Sequence, residues 1–247
     1  MKLRFSTLQT RPELLRELLN MENTWPEFIR QDPIGELYYN ADILLQLAEY
    51  TLLALDDHDA IIAKVHSIPF QTPPNGELPA DGWDGAIRRG LIRLLTGSTP
   101  NAISALEIAV RSDARGQGVS AQALEAVRVN ARRLGFSQLL APVRPNGKVD
   151  PFQDMQAYVH RTREDGLPLD PWLRTHVRAG GTVESIAQRS MVVTGTLSEW
   201  RAWTGLPFDT SGPVHVPDAL APVHCDAELG IATYVEPNIW VSHSTEG

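Results

Sequence analysis

Residues 102–110 read AISALEIAV, 111–119 read RSDARGQGV, 121–134 read AQALEAVRVNARRL and 138–143 read QLLAPV. The first run is apolar over nine residues and predicts a strand with interior character. The second is polar and holds two glycines, so it predicts a loop. The third has no internal proline or glycine and is dominated by good helix formers. Leu124, Val127, Ala131 and Leu134 fall on one face of that helix, and Gly135 stands where a terminating glycine would. The fourth run predicts another strand, with Pro142 and Pro145 implying that it lies near an edge or splays away. Strand, glycine loop, helix and strand form a βαβ unit whose ligand crevice lies at the loop.

The loop can do specific chemistry. The first-turn N–H groups of the following helix have no partner within the helix, and the helix dipole adds partial positive charge there. Gly116 and Gly118 let the backbone approach a bulky anion. Arg115 supplies a planar cationic donor. Together, 115–120 (Arg115, Gly116, Gln117, Gly118, Val119, Ser120) form a seat sized for a pyrophosphate. A glycine-containing turn that binds nothing is the plain alternative. The chain contains neither G-x-x-x-x-G-K-[ST] nor G-x-G-x-x-G, so a P-loop and a Rossmann site are both unsupported.

Outward from this unit, alternation over 3–8 predicts a first strand. Pro12 then opens a helix carrying Leu14, Leu15, Leu18, Leu19 and Met21 on one face. Residues 25–35 predict a loop and 36–48 a second helix. Residues 51–55 and 60–68 predict a hairpin closed by Asp56-Asp57-His58-Asp59, which reads as a solvated turn rather than a metal site. Residues 71–85 predict a loop and 86–95 a short helix, broken at 96–100. Downstream, 152–163, 171–177 and 197–203 predict helices. Residues 182–194, 214–223 and 231–241 predict strands. No repeat or linker interrupts the chain, so a single domain over 1–247 is expected, with an insertion about 148–170 and a C-terminal extension about 197–247.

The bulk properties narrow the class. The chain has 247 residues, 43% hydrophobic and 21% charged, enough for a folded core. Its formal net charge of -8 argues against a nucleic-acid partner, although a local nest of N–H groups still permits an anionic cofactor. The one cysteine, Cys225, cannot close an internal disulfide, which favours a reducing compartment. The N-terminus lacks an apolar core segment and no stretch is long enough to span a bilayer. A cytoplasmic protein without membrane contact is expected.

The run from Leu106 to Ser120, with the helix and Gly135-Phe136 behind it, resembles the core motif of the GNAT superfamily of acyl-CoA-dependent N-acyltransferases. That signature is Q/R-x-x-G-x-G/A, and Arg115, Gly118 and Ser120 occupy its fixed positions. Ser120 replaces the usual Gly or Ala. The resemblance covers about a fifth of the chain, and the order of preceding elements is similar too. It implies an α/β (α+β) fold with a mixed, mostly antiparallel central sheet flanked by helices, the C-terminal strands being an addition. It implies a bulged fourth strand that splays from the fifth. In that opening acetyl-CoA or another acyl-CoA would bind, its pantetheine arm on the backbone of Ile108 and Val110. Asn146, in Pro145-Asn146-Gly147, matches a frequent cofactor contact, although the same residues make a turn unaided. No metal is implied.

Three residues are candidates for catalysis. Glu107 is an acid within an apolar strand, placed to take the amine proton directly or through water; solvent exposure or an arginine partner would explain it equally. The family often has Y-x-x-x-G-F, where the tyrosine protonates the departing thiolate. Here His176, with Gly180-Gly181, stands in that pattern, and a histidine can donate a proton near neutral pH. Tyr158, on the inserted helix, is the second candidate for that role. Glu236 is recorded as an acceptor contact. Trp172, Trp200, Trp203 and Trp240 read mainly as core. Cys225, between His224 and Asp226, is discounted as a nucleophile, since strand neighbours face opposite ways.

The expected activity is transfer of an acyl group from CoA to an amine of a small molecule or peptide, with a homodimer as the expected assembly if there is one. The alternative is a GNAT-like domain that binds CoA or a partner without turnover.

Overall fold

The computed structural model describes residues 3–246. Met1, Lys2 and Gly247, at the ends of the expected domain, lie outside the described residues.

Among the described residues, nine strands form one sheet: β1 (Arg4–Thr7), β2 (Thr51–Leu55), β3 (Ile61–Phe70), β4 (Ala102–Val110), β5 (Gln138–Val143), β6 (Thr182–Thr196), β7 (Gly212–Val214), β8 (Val223–Asp226) and β9 (Ile231–Ser244). Their order is β1-β2-β3-β4-β5-β9-β8-β7, with β6 on the other side of β9. Among the described residues, only β4 and β5 run parallel, and every other pair is antiparallel. The long strand β9 meets β6 along one edge. Its other edge meets β8 at Ile231–Thr233 and β5 at Ile239–Ser244.

The helices are α1 (Leu15–Asn20), α2 (Pro33–Tyr38), α3 (Ala41–Gln46), α4 (Gly82–Thr96), α5 (Val119–Arg133), α6 (Met155–Val159), α7 (Pro171–Arg178) and α8 (Leu197–Thr204). Two layers cover the sheet, as central strands β2 and β3, buried at every position on both faces, require. In β2, Leu53 and Leu55 join the cluster that includes Trp83, Ala86 and Ile87 of α4. Leu52 joins the cluster that includes Ala123, Leu124, Val127 and Ala131 of α5. No helix among the described residues is long and apolar enough to cross a membrane.

Several boundaries differ from the sequence reading, each for a local reason. The helix expected over 36–48 is two helices, because Asn40 is extended and its side chain caps α3 at Ile43 N. Asp32 caps α2 ahead of Pro33, so α2 begins three residues early. Helix α5 begins at Val119 instead of 121, which moves Val119 and Ser120 from the loop into the first turn. The helix expected over 152–163 is confined to α6. The strand expected over 214–223 is instead β7 and β8 with a loop between them, which contains Pro217, Pro222 and a left-handed Asp218 at φ 66°.

Candidate functional site

Strand β4 carries a bulge. Its pairing with β3 runs from His66–Glu107 to Ser67–Ala105, leaving Leu106 as the extra residue. The Leu106 carbonyl accepts the indole N–H of Trp83 at 3.0 Å. Among the described residues, β4 pairs with β5 only at Ile103–Leu139 and Ser104–Leu140. Beyond them the strands part. The opening is a cleft of about 300 Å³, walled by Ala105, Glu107 and Ile108 on one side and by Ala141, Val143 and Arg144 on the other. Ser120, Asn146 and His176 also line it.

At the loop, Gly116 and Gly118 adopt left-handed φ of 76° and 75°. A Cβ on either would meet nothing within 4 Å, so the backbone conformation, rather than crowding, selects glycine there. Gly118 is the N-cap of α5, and no side chain caps the helix. The first intrahelical bond is Gln122 N to Gly118 O at 3.3 Å, which leaves the N–H groups of Val119, Ser120 and Ala121 without helical partners. The Arg115 Nε donates to Val110 O at 3.4 Å, tying the loop to the end of β4. This terminus faces open space at the end of the cleft that Ser120 lines, so the donor set fits a diphosphate.

A second cavity, also about 300 Å³, adjoins the cleft. Asp32, Tyr39, Lys64, His66 and Met191 are among its walls. Trp25, Trp83 and Glu107 line both spaces. Glu107 is 8% exposed. Its Oε1 accepts from Trp25 Nε1 at 2.7 Å and its Oε2 from the Tyr39 hydroxyl at 3.2 Å. Lys64 Nζ lies 3.6 Å from Oε2, and His66 Nε2 lies 3.9 Å away. A carboxylate has about four acceptor sites, so each oxygen retains capacity for a further proton. The partner is thus a lysine in place of the arginine considered from sequence. Burial, then Lys64, holds His66 well below the usual imidazole range. Burial, then the Glu107 charge, raises the Tyr39 phenol well above its usual range. Both side chains are neutral neighbours of a charged group.

His176, on α7, is 2% exposed and its Nδ1 lies 2.9 Å from His243 Nε2. Burial, then His243, lowers His176 to about 3, and burial, then Arg128, lowers His243 to about 4. Both rings are therefore neutral at pH 7, which corrects the expectation of a titrating donor. The tautomers follow from the remaining nitrogen. His243 Nδ1 is buried without a partner, and an orphaned acceptor is tolerated better than an orphaned N–H. The proton then sits on His243 Nε2, which donates to His176 Nδ1, and His176 carries its own hydrogen on Nε2.

Other sequence candidates lie elsewhere. Tyr158 lines neither cavity; its hydroxyl donates to Asp170 Oδ2 at 2.9 Å. Burial and then the Asp170 charge raise its phenol above the ordinary value, so it is a structural hydrogen-bond donor there. Asn146 Oδ1 accepts from Trp172 N at 3.2 Å, and its exposed side chain still borders the cleft. Ile108 borders the cleft, while Val110 does not. Glu236 is fully buried, takes donors from Arg144, Tyr234 and Asn238, and lines neither cavity, so it holds β9 to its surroundings. Sequence reasoning missed Trp25, Asp32, Tyr39, Lys64, His66 and Trp83. The available signal was Asp32-Pro33, an N-cap followed by a first-turn proline.

A bulged strand, a splayed parallel pair and an uncapped helix end behind a glycine loop define the class. The chain belongs to the GNAT superfamily and is an acyl-CoA-dependent N-acyltransferase of that type. It is 33% identical over 269 residues to the arginine N-acetyltransferase avaD of Aspergillus versicolor, covering 96% of this chain and 92% of that one. No family model matches the chain. Among solved structures, the loading GNATL domain of CurA from Lyngbya majuscula is similar over 100% of this chain and 99% of its own, with a TM-score of 0.62 and 15% identity. The GphF GNAT-like decarboxylase in complex with isobutyryl-CoA matches over 100% of both chains, with a TM-score of 0.59 and 17% identity. At such identities these two show the fold alone. A binding-only domain is not favoured.

Proposed function

We propose that the chain transfers an acetyl group from acetyl-CoA to an amine nitrogen of an arginine-like acceptor by direct attack, with Glu107 as the base. The observation that carries this reading is that Glu107 lies on the wall common to both cavities. The cleft between β4 and β5 receives the pantetheine arm on the Ile108 side. The loop from Arg115 to Ser120 holds the diphosphate, with Val110 and Asn146 at its borders. The adjoining cavity receives the acceptor. The name of the relative avaD supports arginine as that acceptor. The acting unit is the whole chain as one cytoplasmic domain, with residues 148–170 inserted and 197–247 appended.

Acetyl-CoA supplies the activated thioester. Trp25 and Tyr39 hold the Glu107 carboxylate through one hydrogen bond each. Glu107 accepts the proton that the amine loses as the new N–C bond forms and the C–S bond breaks. The electron pair of the broken bond leaves on sulfur. An imidazole that is already neutral does not surrender its N–H, so His176 stabilises that sulfur by donating a hydrogen bond from Nε2. The thiolate is then protonated from solvent.

The test is thiol release on mixing with acetyl-CoA and L-arginine. Glu107→Gln should lower kcat by roughly 10²- to 10⁴-fold while CoA still stabilises the fold. Wild-type kcat in that variant would remove Glu107 from the chemistry, and no stabilisation of the wild type by CoA would remove the cleft assignment.

A further inference from the structure

The wall of the acceptor cavity also holds Asp32, an acid that the chemistry above does not use, and a second acid outside the wall backs it. Asp32 caps α2: its Oδ1 accepts from Ile34 N at 2.7 Å and Gly35 N at 3.2 Å. Its Oδ2 is buried and has no hydrogen-bond donor. Behind it stands Asp84, in the first turn of α4, whose Oδ2 accepts from Val192 N at 3.2 Å and whose Oδ1 also lacks a donor. Each residue is 2% exposed. Two carboxylates buried side by side are stable together only when they share a proton or face a cation.

The protein's own cations are engaged elsewhere. Arg30, on the cavity wall, pairs with Glu27 at 2.7 Å. Lys64 faces Glu107. Arg88 acts on Asp84 from a distance and pairs with Asp81 at 3.4 Å. Among the described residues, no salt bridge reaches Asp32 or Asp84. Burial, then the charge of Asp32, raises Asp84 to about 8, and burial raises Asp32 too, against the lowering pull of its hydrogen bonds with Ile34 N, Gly35 N and Asp84. In the free protein the pair therefore holds a proton that a cation can displace.

The walls shared with Asp32 are aromatic. Tyr39 stacks on Trp83 with ring centroids 6.4 Å apart, and Trp25 tilts against Trp83 at 5.8 Å. Such faces suit an aliphatic chain and a delocalised cation. Glu107 and Asp32 thus line one cavity, with aromatic faces among its walls and no cation bound to Asp32.

We infer that Asp32, backed by Asp84, is the seat for a second cationic group of the acceptor, a guanidinium or ammonium carried on the same molecule as the amine presented to Glu107. This rests on the acceptor reading of the cavity and deepens it. The pair then selects diamine-like or guanidino-amine acceptors over monoamines. Binding expels the shared proton into solvent.

The experiment is calorimetry in the presence of CoA, which permits no turnover, with L-arginine and its neutral isostere L-citrulline as probes. The wild type should bind arginine at least about tenfold more tightly than citrulline. Its binding heat should change with the ionisation enthalpy of the buffer, reporting the released proton. Asp32→Asn keeps a capping oxygen on α2 and should abolish both the preference and the proton release. Asp84→Asn, outside the cavity wall, should reduce both and serves if the first variant folds poorly. Glu107→Gln should keep the preference while losing turnover. Equal affinity of the wild type for the two probes would overturn the inference, as would an undiminished preference in both aspartate variants. Neither result would touch the assignment of Glu107, which turnover alone tests.

Discussion

Two cavities of equal volume, about 300 Å³ each, meet at Glu107, and they are built in opposite ways. The cleft is a property of the backbone. It exists because β4 bulges at Leu106, because β4 and β5 part after Ser104, and because α5 starts without a side-chain cap. The acceptor cavity is a property of side chains. Its walls come from segments far apart in the chain: Trp25 and Asp32 before β2, Lys64 and His66 on β3, Trp83 on α4 and Met191 on β6. A backbone device tolerates many sequences and suits a cofactor common to a family. A side-chain device can be rebuilt residue by residue and suits a variable acceptor.

The largest effect confined to one side should come from Gly118→Val. A β-branched residue at φ 75° is strained by about 1–3 kcal/mol, and relief of that strain would turn the first N–H groups of α5 away. The KM for acetyl-CoA should rise by roughly ten- to a hundredfold, with arginine affinity unchanged. Steady-state kinetics at varied concentrations of each substrate checks this. A parallel rise in both constants would mean that the two spaces are not separately built.

The shared wall should behave differently. Trp25 borders both cavities and donates to Glu107 at 2.7 Å. Trp25→Ala should weaken both substrates, each by roughly fivefold, since each loses part of an aromatic face worth about 1 kcal/mol. A change in only one constant would assign Trp25 to that side alone.

The same contrast explains what could be read from sequence. The β4–α5–β5 unit was legible because its signals are local. The bounds of β4 and β5 coincide with the apolar runs at 102–110 and 138–143. Gly135 ends α5 in a Schellman motif, with Phe136 N donating to Ala131 O at 3.0 Å and Gly135 N to Arg132 O at 2.9 Å. Glu107 stood out as an acid in an apolar strand. The acceptor cavity was not legible, because Trp25 and Asp32 lie in 25–35 and Trp83 and Asp84 in 71–85, both read as loops. Their convergence depends on how α2 and α4 pack, which no local period encodes. His176 was found from the family pattern. Its partner His243 lies 67 residues away, on a strand whose pairing the pattern does not specify.

The last effect is one of stability, and it contrasts the buried dyads behind the two cavities. His176 and His243 fall to about 3 and about 4 in the folded state, against about 6.5 in the unfolded chain. Below pH 6.5 the unfolded chain takes up protons that the folded chain refuses, so stability falls as pH falls, by about 1.4 kcal/mol per unit for each histidine until the folded pair titrates. Asp84 is raised to about 8, from about 3.9 unfolded. The folded state holds its proton where the unfolded state does not, so this contribution is lost as pH rises toward 8. Above about 6.5 the histidine pair is neutral in both states, so between 6.5 and 8 the change comes from Asp84. His243→Asn should therefore flatten the acid limb of stability, and Asp84→Asn the limb between pH 6.5 and 8. Urea unfolding of the three proteins at pH 5, 6.5 and 8 reads both limbs. His243→Asn should leave the upper limb intact, whereas Asp84→Asn, whose window runs from about 3.9 to about 8, should also steepen the acid limb by removing an opposing slope; a histidine variant that also flattened the upper limb would show that the two dyads titrate as one network across the sheet.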